Sequence, residues 1–185
     1  MKNYKALNNQ IFKKDKYCII PIRYDDRYNI MKWRNDQMYH LRQSELLTKI
    51  NQDNYFLNVV NKLFDSTKPN QLLFSFLKDE ICVGYGGLVH INWVDKHAEI
   101  SFVMNTSLET NSFYSYWYEY LNLIEKVAFD DLSLNKIFVY AFDLRPKLYE
   151  VLIDSSYIKE ARLKKHHKFK NDYVDVLIYS KFKNQ

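Results

Sequence analysis

The sequence predicts an α/β protein with a mixed, mostly antiparallel central sheet flanked by helices, in the order β-α-α-β-β-β-α-β-α-β-β. Three observations carry this reading. Apolar residues recur at helical spacing over 25–40, 48–64 and 112–130. Three short β-branched or aromatic runs, "QLLFSFLK", "ICVGYGGLVHI" and "AEISFVMN", follow one another with only polar pieces between them. A basic, aromatic-rich hairpin closes the chain. At 185 residues the expectation is one domain over 1–185, with 1–16 as a flexible N-terminal segment.

Each element has a local reason. "YCIIPIRY" at 17–24 is the first strand, its Ile20 held extended by the following Pro21. Residues 25–40 start a helix with Asp25 and Asp26, whose charges suit a helix N-terminus. Thr48 caps a second helix carrying Ile50, Tyr55, Leu57, Val60 and Leu63, and "STKPN" ends it. The meander follows. The third helix presents Phe113, Trp117, Tyr120, Leu121, Ile124 and Ala128 on one stripe. "LNKIFVYAF" is a strand, and "RPKLYEVLIDSS" a helix whose Pro146 sits in the first turn, where no N–H is needed. The closing hairpin turns near Asn171 and Asp172.

Composition narrows the function classes. Hydrophobic residues make up 47% and charged residues 26%, as in ordinary globular proteins, and no apolar run approaches the roughly 20 residues of a membrane span. The polar, basic N-terminus is not a signal peptide. Cys18 and Cys82 lie far apart among apolar residues and read as free thiols of a reducing cytoplasm, with no metal site expected. A net charge of +5 suits a protein that handles an anion, whether nucleic acid, a nucleotide-linked sugar or coenzyme A. No recognised nucleic-acid motif supports the first of these.

The chain's three glycines, Gly84, Gly86 and Gly87, fall in one stretch. A phosphate-binding P-loop would need a helix and a Lys-Ser/Thr pair after them. Here "LVHI" and another strand follow, so the glycines lie inside a sheet, where they mark a bulge or a close approach.

The order of elements, with local matches over about 17–182, resembles the GCN5-related N-acetyltransferase (GNAT) fold. "WRND" at 33–36 looks like the branch that acetylates ribosomal-protein N-termini and nucleotide-linked amino sugars. "HAEISFVMN" is similar to the family's fourth strand, and "YIKEARLKKHHKFKNDYVDVLIYS" to its C-terminal hairpin. The resemblance implies an acetyl-CoA-dependent N-acetyltransferase passing the acetyl group directly to a small amine, with a nucleotide-linked amino sugar as the nearest acceptor. A GNAT-like binding scaffold and a protein N-terminal acetyltransferase are the alternatives. Neither nucleic acid nor membrane is an expected partner; a homodimer is compatible with the sequence.

The same resemblance assigns roles, and it implies that the glycine strand bends beside an acceptor pocket, so that Gly86→Val would harm activity more than stability. Glu99, on the fourth strand beside Ser101, is the base candidate, and His90 or His97 could relay its proton. Tyr149 is the acid candidate, although the helix register places Leu152 on the family's tyrosine. Val103, Met104 and Asn105 would pair with the cofactor's pantetheine arm. Ser112 and Phe113, at the expected start of the third helix, would meet its pyrophosphate. The family's glycine loop there falls on Phe113, Ser115 and Trp117, and its cofactor-binding asparagine on Arg145. Arg34, Arg42, Gln43, Asn92 and Trp93 are the acceptor-contact candidates. The basic run 162–170 is read as a solvated hairpin arm or a contact for nucleotide phosphates.

Overall fold

The computed structural model describes residues 2–184; Met1 and Gln185 of the expected 1–185 domain lie outside the described residues. The strands in chain order are β1 (Phe12–Lys14), β2 (Tyr17–Pro21), β3 (Leu72–Lys78), β4 (Ile81–Asn92), β5 (His97–Met104), β6 (Lys136–Phe142), β7 (Ile158–Phe169) and β8 (Asp172–Phe182). They form one sheet in the order β1-β2-β3-β4-β5-β6-β8-β7. All neighbours are antiparallel except β5 and β6. The expected order is therefore present, with β1 added in front.

The helices are α1 (Arg27–Asp36), α2 (Lys49–Tyr55), α3 (Asn61–Asp65), α4 (Glu109–Glu125) and α5 (Pro146–Asp154). Thr48 caps α2 through a capping box: its Oγ1 accepts from Asn51 N at 3.1 Å, and its own N–H donates to Asn51 Oδ1 at 3.0 Å. A π-helical turn, Phe56–Val60, carries α2 without a break into α3, which accounts for the single helix expected over 48–64. Pro146 opens α5 as expected.

Residues 2–16 correct the expectation of a flexible segment. Tyr4 is 1% exposed, stacks on Phe64 with ring centroids 4.5 Å apart and donates its hydroxyl to Leu73 O at 2.7 Å. The backbone N–H groups of Asn8 and Asn9 donate to the Asp131 carboxylate. An aromatic anchor and a carboxylate clasp thus tie down a stretch whose composition is polar.

Helices cover both faces. Neighbouring strand residues point to opposite sides, and β5 shows the division: Ser101 shares a cavity with Ile30 of α1 and Tyr55 of α2, whereas Phe102 stacks on Tyr120 of α4 at 4.0 Å. Gly84 and Gly86 serve this second face, and Gly87, paired with Ser101, the first. A Cβ on Gly86 would lie 2.1 Å from Ser101 O and 2.5 Å from the Tyr120 hydroxyl, and one on Gly87 would lie 1.9 Å from Leu72 O. Flanking strands and the Tyr120 ring press against bare backbone there. The expectation that Gly86 chiefly serves an acceptor pocket is corrected: its hydrogen side chain is required by packing.

The parallel ladder between β5 and β6 has only three pairs, His97↔Lys136, Ala98↔Ile137 and Glu99↔Phe138. Beyond Glu99 the two strands diverge, although β5 continues to pair with β4 and β6 with β8. This split in mid-sheet positions the site.

Candidate active site

A cleft of about 190 Å³ fills the split. Ile100, Ser101 and Phe102 of β5 form one wall and Val139–Phe142 of β6 the other, with Glu99 at the apex where the strands part. Arg42 and Arg34 border it on the α1 side, and Arg145, Trp117 and Leu148 on the α4–α5 side.

Glu99 is 5% exposed and is not alone. One carboxylate oxygen accepts from Arg42 Nη2, and the other lies 3.0 Å from His90 Nδ1. The sequence named all three residues, and the structure brings them together across 57 and 9 positions of chain. A register shift between Val89 and Asn92 makes the His90 contact, with His90 itself at φ 50°. That conformation costs a non-glycine residue about 1–2 kcal/mol and re-aims the imidazole toward Glu99. The His90 side chain is 66% exposed, so the buried carboxylate touches an imidazole that is in contact with water. Arg42 also lies over the Tyr140 ring at 4.8 Å, which fixes its guanidinium against the β6 wall.

The other end of the cleft is built around Arg145. Its Nη2 donates to Glu109 Oε1 at 2.7 Å, and its guanidinium lies over the Phe113 ring at 4.8 Å and the Trp117 ring at 6.0 Å. His40 Nδ1 is 3.3 Å from Arg145 Nη1. Burial first, and then the Arg145 charge, drive the His40 imidazole down to about 3, so it stays neutral. The indole N–H of Trp117, a residue 3% exposed, is buried with no acceptor among the described residues. A buried guanidinium and an unspent indole donor beside a split sheet fit a ligand rich in phosphate and carbonyl oxygens, as acetyl-CoA is.

Several expected cofactor contacts are corrected. α4 begins at Glu109, so Ser112 lies within its first turns and Phe113 is a buried support for Arg145. Neither stands at the helix N-terminus. The cleft wall is Ile100–Phe102 and not Val103–Asn105. Met104 O is taken by Gln37 Nε2 at 2.7 Å, and Asn105 N donates to Val83 O at 2.8 Å, so that end of β5 is closed by protein.

Among the acceptor candidates, Arg34 lines the cleft, held by Gln43 Oε1 at 3.0 Å and the Tyr85 hydroxyl at 2.7 Å. Gln43 therefore acts through Arg34, its own amide donating to Asn35 Oδ1. Asn92 is spent on the β4–β5 turn, where its Oδ1 accepts from Val94 N and Asp95 N. Trp93 donates to Pro69 O at 2.8 Å. Neither lines the cleft. Tyr149 is also outside it: its hydroxyl donates toward Asp143 Oδ1 at 3.0 Å and Phe142 O at 3.3 Å, and its ring stacks on Tyr179. His97 opens β5 against Phe138, away from the cleft lining. Sequence reasoning missed Tyr85, His40 and Glu109; no motif marks them, because each acts through a partner distant in the chain.

The acetyltransferase (GNAT) domain family matches residues 19–178. Among solved structures, the fold is similar to spermidine N-acetyltransferase from Vibrio cholerae in complex with CoA and spermine, with a TM-score of 0.80 at 15% identity over 92% of this chain and 98% of that one. A dodecameric structure of the Vibrio cholerae spermidine N-acetyltransferase aligns at 0.75 and 15% identity, over 92% and 96%. A probable acetyltransferase aligns at 0.70 and 18% identity, over 94% and 97%. At these identities the likeness is one of fold.

Proposed function

This chain belongs to the GNAT acetyltransferase family, which makes it an acetyl-CoA-dependent N-acetyltransferase, and we propose that its acceptor is a small amine carried on an oxygen-rich, anionic body, namely a nucleotide-linked amino sugar. The observation that carries this reading is the charge of the cleft: Arg34, Arg42 and Arg145 line it, and the two carboxylates beside them, Glu99 and Glu109, leave it net positive at Arg34, which is held by the neutral Gln43 and Tyr85. Glu99 is already paired with Arg42. A polyamine, the substrate class named for the Vibrio cholerae enzyme, would bring its second ammonium among these guanidinium groups. At about 6 Å and an effective dielectric near 20, the unneutralised Arg34 would cost that ammonium about 3 kcal/mol. Phosphate oxygens reverse that sign.

When bound, acetyl-CoA would supply the acyl group as a thioester, its C–S bond breaking as the C–N bond forms and CoA leaving as a thiol protonated from water. The protein's part is to take a proton from the acceptor ammonium, so that its lone pair can attack. Glu99 sits at the apex of the cleft and accepts that proton at a carboxylate oxygen, through water. His90 touches the other oxygen and faces solvent, so it passes the proton outward. Arg42 keeps the carboxylate oriented. Arg145 and the Trp117 indole provide donors for the cofactor's oxygens.

Calorimetric titration with acetyl-CoA, and with desulfo-CoA as second ligand, tests the cofactor half. Micromolar binding of both is expected, and no heat at millimolar ligand would refute it. Thiol release on adding an amino-sugar phosphate tests the acceptor half.

A further inference from the structure

We infer that a second cavity, between α1, α2 and the sheet, holds the ring that carries the acceptor's amine, and that this ring is an uncharged six-membered one bearing oxygen acceptors rather than part of a polyamine chain. The inference rests on the acetyltransferase reading. The cavity measures about 250 Å³ and is walled by Leu47, Tyr55, Phe56, Gln71, Tyr85 and Val89. At about 30 Å³ for each water-sized group, it has room for about eight heavy atoms, which is a six-membered ring with two substituents. Arg34 and Ser101 line both this cavity and the cleft, so a ring seated here reaches toward Glu99 with an attached amine.

The hydrogen-bonding balance selects the ligand. The Tyr55 hydroxyl accepts from Gln71 Nε2 at 3.2 Å, and the Tyr85 hydroxyl accepts from Arg34 Nη1 at 2.7 Å. Each phenol keeps its own hydrogen, and no acceptor takes either one among the described residues. Ring oxygens and hydroxyls satisfy such donors; an ammonium does not. No carboxylate lines the cavity, and Arg34 stands at its junction with the cleft. Apolar and aromatic walls with two outward donors suit a sugar ring, whose carbon faces pack on Phe56 and Val89 while its oxygens meet the phenols.

The test measures acetyl-CoA binding by calorimetry and thiol release with glucosamine 1-phosphate, glucosamine and spermidine, on the wild-type chain, Leu47→Trp and Tyr85→Phe. Leu47 is half-buried, and its backbone N–H remains held by Asn35 Oδ1 at 2.8 Å, so an indole there fills the cavity without unseating the loop. Expected are kcat/KM for spermidine at least tenfold below that for glucosamine 1-phosphate and, in Leu47→Trp, a KM for the sugar raised tenfold or more with kcat within threefold. Tyr85→Phe should lose two- to tenfold in kcat/KM, the worth of one hydrogen bond. Acetyl-CoA binding with spermidine as the better acceptor, with no turnover of any of the three amines, or with an unchanged KM in Leu47→Trp, overturns the cavity assignment and leaves the acetyltransferase reading standing. Failure to bind acetyl-CoA overturns both.

Discussion

Replacing Glu99 by Gln separates a catalytic carboxylate from a structural ion pair. The amide has the same shape and still offers an oxygen to Arg42 Nη2, but it cannot accept the acceptor's proton. The Arg42 side chain is 49% exposed and the Glu99 side chain 7%, so the lost Coulomb attraction is screened on one side and amounts to about 1 kcal/mol. In a domain of this size that lowers Tm by about 2–4 °C. General-base assistance contributes about 10²–10⁴ in rate, or about 3–5 kcal/mol at 1.36 kcal/mol per decade. Thiol release under saturating acetyl-CoA, with thermal denaturation on the same samples, reads both quantities. The expected result is a kcat at least 100-fold down with a nearly unchanged Tm. A kcat within threefold of wild type would refute the argument, and Glu99 would then be a structural anchor for Arg42.

Four other outcomes follow from the geometry. Trp117→Phe removes an unspent indole donor, so acetyl-CoA should bind about fivefold more weakly by calorimetry while the ligand-free protein keeps its Tm. Tyr149→Phe should leave kcat within threefold and cost about 1 kcal/mol in urea unfolding, because its hydroxyl serves Asp143 outside the cleft. Gly86→Val should lower stability by 3 kcal/mol or more, since its first carbon alone would meet Ser101 O at 2.1 Å; soluble protein with a normal urea midpoint would contradict this. His40 has a folded pKa of about 3, below the roughly 6.5 of an unfolded histidine. The unfolded chain therefore binds the extra proton, and the contribution to stability, full above pH 6.5, is lost as pH falls toward 3 at up to about 1.4 kcal/mol per unit. His40→Gln should flatten that slope in urea titrations between pH 4 and 7.

The helices and the meander were legible because local chemistry marks them. Thr48 caps, Pro146 starts, and the β3–β5 runs stand between polar turns. β1 was not legible: "FKK" is three residues long and polar, and it forms only because Phe12 meets Ile19 on a neighbour already in the sheet. Within the site, Glu99, His90, Arg34, Arg42 and Arg145 could be named because the resemblance to the family placed them on its strands and helices. Their couplings could not, because the loop carrying Arg42 and the register shift carrying His90 are tertiary facts. Asn92 and Trp93 misled for a related reason. A polar residue and an aromatic in a loop resemble substrate contacts until the turn hydrogen bonds and Pro69 O claim them. The glycines were correctly placed inside a strand, yet what presses on them, a tyrosine 34 residues further on, is invisible locally.

The split between β5 and β6 has a consequence for handling the protein. Where the strands diverge, an eight-stranded sheet carries two facing margins in its interior that no longer pair with each other, the β5 one partly covered where Tyr120 and Gln37 donate to Ser101 O and Met104 O. Unpaired strand margins are templates for another extended chain. A ligand with amide groups, lying between them, would heal the seam. The empty enzyme should therefore be the more adhesive form, prone to self-association in concentrated stocks. Purification and storage with a CoA analogue would protect its solubility as well as its site.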